Sequence, residues 1–387
     1  MRVLLVHNKY QYLGGEDKVF SEEADLLKRN DHVVDQLIFD NNELNSTLKK
    51  VKAGLQMAYN KSSGLILENR IKSFKPDIIH VHNIFYLVSP SILYVAKKYS
   101  IPVVVTLHNY RLICSGALLL RNASTCEICI GKILPFSGIK YKCHRNSTLQ
   151  TTQLTLVTSM HKLLGTWKRK VDTFVTMTEF TKRKFVESSL KLDPNKIVVK
   201  PNSVDDLGYS DPNDRENYFL FVGRLSKEKG IDILLKATEV GNFKLEIIGD
   251  GPMEDDVRKY INSNSNIVYH GYQDRDFIKQ KLKSSLALVF PSISYEGLPI
   301  TILEAFSTGT PVISSDIGNI NQIVENQING IHFRTSDFKD LGQKIGNFIS
   351  ENQKFRHLYE NARATYIKKY TPEINYRNLI NIYGRLT

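Results

Sequence analysis

No stretch of these 387 residues approaches the roughly 18 consecutive apolar residues that a membrane-crossing helix needs. There is one tryptophan, and with only four cysteines in the chain a disulfide-dense secreted scaffold is excluded. Repeats at solenoid spacing and low-complexity tracts are also absent, so neither a stacked array nor a disordered tether fits. Acidic residues are sparse in one region: residues 51–200 hold 23 Lys/Arg against seven Asp/Glu. The first apolar run, Val3 to Val6, is too short for a secretory h-region and reads as a buried strand. The expected location is the cytoplasm.

What is present is ordinary globular material, 42% apolar, in a chain long enough for two domains of nearly 200 residues each. The net charge of +12 is lopsided, with 30 basic and 16 acidic residues in 1–200 but 22 and 24 in 201–387. Such a field attracts phosphates or an anionic lipid surface, and a solvated basic face is the plain alternative. Nucleic acid is not expected as a partner, because no helix-turn-helix, finger or RNP pattern accompanies the charge.

Short apolar segments alternate with amphipathic ones, the pattern of open parallel α/β sheets. Strands are expected at 3–6, 33–38, 77–81, 102–107, 173–177 and 196–199, then at 218–222, 244–248, 267–270, 286–290, 311–314 and 330–333. The polar, turn-rich stretch around Pro201, Asn202 and Pro212 marks the hinge, giving an N-terminal domain 1–203 and a C-terminal domain 204–370. Two doubly wound domains facing across a cleft, with ligands at the carboxyl ends of the strands, is the architecture this implies. Two segments interrupt the alternation. One is the insertion 112–145. The other is 154–171, where Leu154, Val157, Met160, Leu164, Trp167 and Val171 recur at helical spacing among lysines. This second segment reads as a core helix or as a basic amphipathic helix lying on an anionic membrane.

Chemistry-bearing residues cluster where strands end. Gly14 and Gly15 follow the first strand, where paired glycines let a phosphate approach backbone amides, or simply make a tight turn. Arg224 and Lys229 sit on the loop after the 218–222 strand, placed to neutralise a departing diphosphate. Gly249 and Gly251 close the next strand in another glycine loop and, with Gly297 and Leu298, are expected among the donor-binding residues. Glu296, Gly297 and Leu298 precede Pro299, which suits a first helical position, and Glu304 lies within that helix. At helical rise the two carboxylates stand about 12 Å apart, too far to act on one bond but suited to the two ends of one donor. His80, His82 and Asn83 end another strand and could line an acceptor pocket or simply sit in the core.

The spacing from Glu296 to Glu304, with Pro291-Ser292 before it and Ala305 after, resembles the donor-site signature of glycosyltransferase family 4. Gly14-Gly15-Glu16, the run from Pro76 to His82, Thr106-Leu107-His108, Val222-Gly223-Arg224-Leu225, Gly249-Asp250-Gly251-Pro252 and the run from Gly309 to Ile313 follow in the family's order. The resemblance implies a GT-B fold and a retaining transferase acting on a nucleoside-diphosphate sugar. Polysaccharide or lipopolysaccharide assembly is the expected setting, with a glycan or lipid-linked acceptor. It assigns the diphosphate to Arg224 and Lys229, the donor sugar to Glu296, the ribose to Glu304, the phosphate to the Gly15 amide, and the sugar near the reacting carbon to His108. Glu16, His82 and Asn109 become acceptor-side candidates, and residues 371–387 a helix returning to the N-terminal domain. No catalytic metal is expected. Asp274-Arg275-Asp276 reads as a helix cap rather than a metal motif.

Departures are Asn109 after His108, Asn319 in place of a glycine and Gln322 in place of a glutamate. Cys114, Cys126, Cys129 and Cys143 read as four thiolate ligands of a structural zinc or as buried thiols, with His144 able to replace Cys143. A nucleotide-sugar epimerase of the same fold and a catalytically silent donor-binding subunit are the competing functional readings.

Overall fold

The computed structural model describes residues 1–9, 15–43, 53–54, 56–262 and 264–387. Contacts divide the chain into two compact units. The first comprises Met1–Leu119, Cys126–Lys200 and Tyr376–Thr387, the second Leu120–Thr125 and Pro201–Asn375.

The first unit is built on strands β1 (Arg2–Lys9), β2 (Val33–Asp40), β3 (Ile78–Val81) and β4 (Val103–Thr106). Within the insertion, β5 (Leu120–Arg121) and β6 (Ser124–Thr125) form a short antiparallel pair. Strands β7 (Thr173–Thr176) and β8 (Ile197–Val199) complete a six-stranded sheet of order β2-β1-β3-β4-β7-β8, parallel throughout. The second unit holds β9 (Phe219–Val222), β10 (Leu245–Ile248), β11 (Ile267–Tyr269), β12 (Ala287–Phe290), β13 (Val312–Ser315) and β14 (Gly330–Phe333). These pair in the order β11-β10-β9-β12-β13-β14, again all parallel. Each strand expected from the sequence is present, β1 running three residues further than its apolar run suggests.

The central strands are buried on both faces, which is why they read as continuous Val/Ile/Leu/Phe runs rather than as alternating patterns. In the first unit, the helix Gly15–Arg29 lays Phe20, Ala24 and Leu27 against Val3, Leu5 and Ile78. The last helix, Pro372–Tyr383, adds Leu379, Ile382 and Tyr383 to that same core. The second core is aromatic-rich, with Phe219 edge-on to Phe243 and Phe348.

Strand order decides where a ligand can sit. Winding reverses between β1 and β3 in the first sheet and between β9 and β12 in the second. At such a switch point neighbouring loops leave the sheet in opposite directions and open a crevice at the carboxyl edge.

The segment expected as one helix over 154–171 is two, Thr148–Leu163 and Thr166–Lys170, broken where Gly165 adopts φ +63°. Leu154, Val157, Trp167 and Val171 are buried as expected, whereas Met160 and Leu164 face solvent.

Candidate functional site

At the switch point of the second sheet, the loop after β9 carries Arg224 and Lys229, and the loop after β12 carries Glu296. Lys229 Nζ lies 2.8 Å from Glu296 Oε1, and the same oxygen accepts from Ser292 Oγ at 2.6 Å. Asn319 Nδ2 donates to the Glu296 backbone carbonyl, so the carboxylate is fixed from both ends. Asn319 is fully buried in this role, which gives a physical reason for an amide where a glycine was expected. Arg224 is exposed and has no ion-pair or hydrogen-bond partner among the described residues.

Glycines bring these loops together. A Cβ on Gly230, at φ +71°, would lie 2.0 Å from the Pro291 carbonyl oxygen, and the β9 and β12 loops could not then approach. Gly249 and Gly251 have the same kind of cause. A Cβ on either would strike the backbone of Gly223 or Leu225, at 2.0 Å and 2.5 Å respectively. Their direct role is to seat the Arg224 loop, and Leu225 N donates to Asp250 O at 2.7 Å across that junction.

Glu304 sits in the helix Ile300–Ser307, 3.8 Å from Arg275 Nη2. Pro299 stands just outside this helix, so the regular rise covers only the last four of the eight steps from Glu296. Leu298 is buried and Gly297 half-buried beside it. Asp274 caps the helix Arg275–Ser284, its carboxylate accepting from Phe277 N at 2.8 Å, as its sequence context implies.

In the first unit the carboxyl edge is lined with histidines. His82, after β3, places Nδ1 3.0 Å from His108 Nε2, after β4. Together with Asn109, Arg111 and Trp167 they line a small cavity of about 40 Å³, enough for one or two waters. The indole N–H of buried Trp167 has no partner among the described residues. Asn109 Nδ2 donates to Glu16 Oε1 at 2.7 Å, tying the first turn of the Gly15–Arg29 helix to the His108 loop. Gly14 lies outside the described residues. At Gly15 an added Cβ would meet nothing within 4 Å, so packing does not account for a glycine there.

Beneath this edge lies a network the sequence reading missed. Glu23 is buried, with Lys200 Nζ 3.0 Å from Oε2, and His80 Nδ1 and His82 Nε2 at 2.8 and 3.3 Å from Oε1. Burial pushes the Glu23 carboxyl up, but the Lys200 ammonium and His80 outweigh it and hold the group well below its ordinary value. Burial likewise drives His82 down to about 4 and His108 well below its usual range, so both imidazoles are neutral at pH 7. Among the described residues, Glu23, His80 and His82 are the group of three whose ligand atoms lie within 4.8 Å of one another, and no three cysteine sulfurs come as close. Lys200 already supplies the positive charge there, and the cluster is sealed from solvent. The signal was available: Glu23 shares the apolar stripe of Phe20, Ala24 and Leu27, so a buried partner had to exist.

None of the four cysteines is in a disulfide. Burial raises the Cys114 thiol, opposed in part by the nearby backbone amides of Leu119, Gly116 and Ala117, and raises Cys129 to about 11. His144 Nε2 is engaged with the Tyr86 hydroxyl.

Residues 207–365 match the family profile described as glycosyl transferases group 1, and residues 55–206 match that of Glycosyltransferase Family 4. An uncharacterized glycosyltransferase of Methanocaldococcus jannaschii is 25% identical over all of this chain and 99% of its own length. O-antigen chain mannosyltransferase C of Escherichia coli is 28% identical over 44% of this chain and 47% of its own. The UDP-Gal:alpha-D-GlcNAc-diphosphoundecaprenol alpha-1,3-galactosyltransferase of the same organism is 28% identical over 52% and 60%. The chain thus spans about half the length of several curated relatives that it matches. Among solved structures, HepE of Anabaena in complex with UDP superposes with a TM-score of 0.72 at 16% identity, covering 100% of both chains. Sucrose-phosphate synthase of Thermosynechococcus elongatus gives 0.72 at 15%, over 100% and 98%.

Proposed function

We propose that this chain, which belongs to glycosyltransferase family 4, moves a sugar from a nucleoside-diphosphate donor to a hydroxyl of a glycan or lipid-linked acceptor, retaining the anomeric configuration. The observation that carries the reading is the convergence of Arg224, Lys229 and Glu296 at the switch point of the second sheet. A diphosphate arriving there meets an exposed guanidinium with no competing partner, and an ammonium held in place by a carboxylate. As the bond from the anomeric carbon to the phosphate breaks, both cations stabilise the oxygen that gains charge. The acceptor hydroxyl forms the new bond on the same face, and its proton passes to the departing phosphate. Glu296 meets hydroxyls of the transferred sugar, Glu304 holds the ribose, and His108, neutral, offers a hydrogen bond to the sugar. Glu16, His82 and Asn109 are assigned to the acceptor.

The named relatives support UDP-sugars as the first donors to try and surface-polysaccharide assembly as the setting. A nucleotide-release assay tests the reading: Arg224→Ala and Lys229→Ala should each lose about a hundredfold or more in kcat. Activity retained within tenfold in both would remove these residues from the chemistry. A product of inverted configuration by NMR would remove retention.

We also assign the four thiols to a structural zinc. Cys129 is coupled electrostatically to Cys114, Cys126 and Cys143, and burial raises both Cys114 and Cys129, so a bound cation would be what holds these groups as thiolates. Lys162, half-buried and lowered to about 8 by that burial, lies within electrostatic reach of Cys129 and Cys114. It would offset the negative charge of a four-thiolate site. With its Nε2 taken by Tyr86, His144 is not a ligand in this assignment.

A further inference from the structure

The helix Thr148–Leu163 has apolar residues on both sides. Its buried side carries Leu154 and Val157 beside Thr151, Thr155, Thr158 and His161, and the Thr151 and Thr158 hydroxyls bond back to the carbonyls four residues earlier. Its solvent side carries Leu149, Leu156, Met160 and Leu163, at 69%, 53%, 37% and 73% exposure. Steps of seven, four and three residues keep these four in one stripe. Leu164 and, on the short helix Phe136–Lys140 that packs against this one, Phe136 at 67% are also exposed. Soluble surfaces seldom present contiguous large side chains of this kind unless something covers them.

The charge around this stripe identifies the cover. From Ile128 to Val171 the chain has eight Lys/Arg and not one Asp or Glu. Lys140, Lys142, Arg145, Lys168 and Arg169 are all exposed. A second copy of the chain would bring the same uncompensated cations face to face, which repels. An anionic lipid surface offers both halves of the match: phosphates for the cations and acyl chains for the leucines. We propose that the 128–171 face of the first unit is a membrane-docking surface for anionic phospholipid, with Leu149, Leu156, Met160, Leu163 and Phe136 entering the headgroup–acyl boundary. The inference deepens the reading above, because an enzyme docked in this way is held where a lipid-linked acceptor lies.

The test is flotation of the full chain with phosphatidylcholine vesicles and with vesicles containing about 30 mol % phosphatidylglycerol. Wild type should bind the anionic vesicles at least tenfold better, and binding should fall steeply between about 0.1 and 0.5 M salt. Leu156→Asp/Leu163→Asp should abolish binding, and Lys168→Glu/Arg169→Glu should weaken it at least fivefold. All four positions are exposed, so melting temperature and donor-induced thermal shift should stay at wild-type values, which separates this test from the fate of the catalytic reading. Equal binding to both vesicle types, or variants that bind as wild type does, would overturn the proposal. A wild-type dimer that Leu156→Asp/Leu163→Asp converts to monomer would also overturn it, by assigning the face to a second copy.

Discussion

Replacing Lys200 by Met leaves the Glu23 carboxylate buried without the ammonium now 3.0 Å away. Both side chains are at most 3% exposed, so solvent screening gives little relief. Removing one partner of a buried pair costs about 3–5 kcal/mol, and in a unit of about 200 residues that lowers the melting temperature by roughly 10 °C. The loss should depend on pH. In the native protein Glu23 is held below its ordinary value, so its contribution is present above the unfolded pKa near 4.5 and lost as pH falls through the folded one. In the variant burial dominates, and Glu23 takes up a proton on folding. Stability then falls as pH rises, and the deficit against wild type should be smaller at pH 5 than at pH 8. Adding Glu23→Gln should restore most of the loss. Chemical denaturation at the two pH values, followed by circular dichroism, measures all of this. A deficit under about 1 kcal/mol, or one equal at both pH values and untouched by Glu23→Gln, would refute the reasoning.

Three other outcomes are expected. His82 is fully buried with a pKa of about 4 against 6.5 when unfolded, so it contributes stability above pH 6.5 that is lost as pH falls toward 4. That loss, about 3 kcal/mol, should appear as a falling urea midpoint, and His82→Gln should flatten the slope. Purified reduced protein should carry about one zinc per chain and lose it in Cys126→Ser/Cys129→Ser; freshly purified protein without metal would end the zinc assignment. Gly230→Ala should cost more than about 2 kcal/mol and weaken donor binding, since its Cβ would meet the Pro291 carbonyl at a left-handed φ. A variant with native melting temperature would show that the loop adapts.

Legibility followed physical locality. Strands were readable because apolar runs bounded by Gly, Pro and Asn leave little choice, and the second unit's loops were readable because Gly223, Arg224, Gly230 and Glu296 lie close to strand ends. The switch points were not, since strand order depends on pairings across more than 60 residues, as between β9 and β12. Nor was the partner of Glu23, since Lys200 is 177 residues away. Gly249 and Gly251 look like phosphate-binding glycines in sequence, yet their immediate cause is a backbone contact with the neighbouring loop. The segment 154–171 was legible in part: Leu154, Val157, Trp167 and Val171 are buried, whereas Met160 and Leu164 face solvent, because apolar spacing alone does not reveal a second stripe. Thr151 and Thr158 satisfy their hydroxyls within the helix and Thr155 pairs with Ser115, so threonines could be buried beside Leu154 and Val157 while Leu149, Leu156, Met160 and Leu163 stay outside.

The central claim is that the second unit binds a nucleoside-diphosphate sugar through the β9 and β12 loops. The most direct measurement is a thermal-shift titration of wild type, Lys229→Ala and Glu304→Ala with UDP-, GDP- and ADP-sugars. A selective rise in melting temperature for one nucleotide, lost in both variants, is the predicted result. The same shift in both variants, or none with any donor in the wild type, would contradict the account.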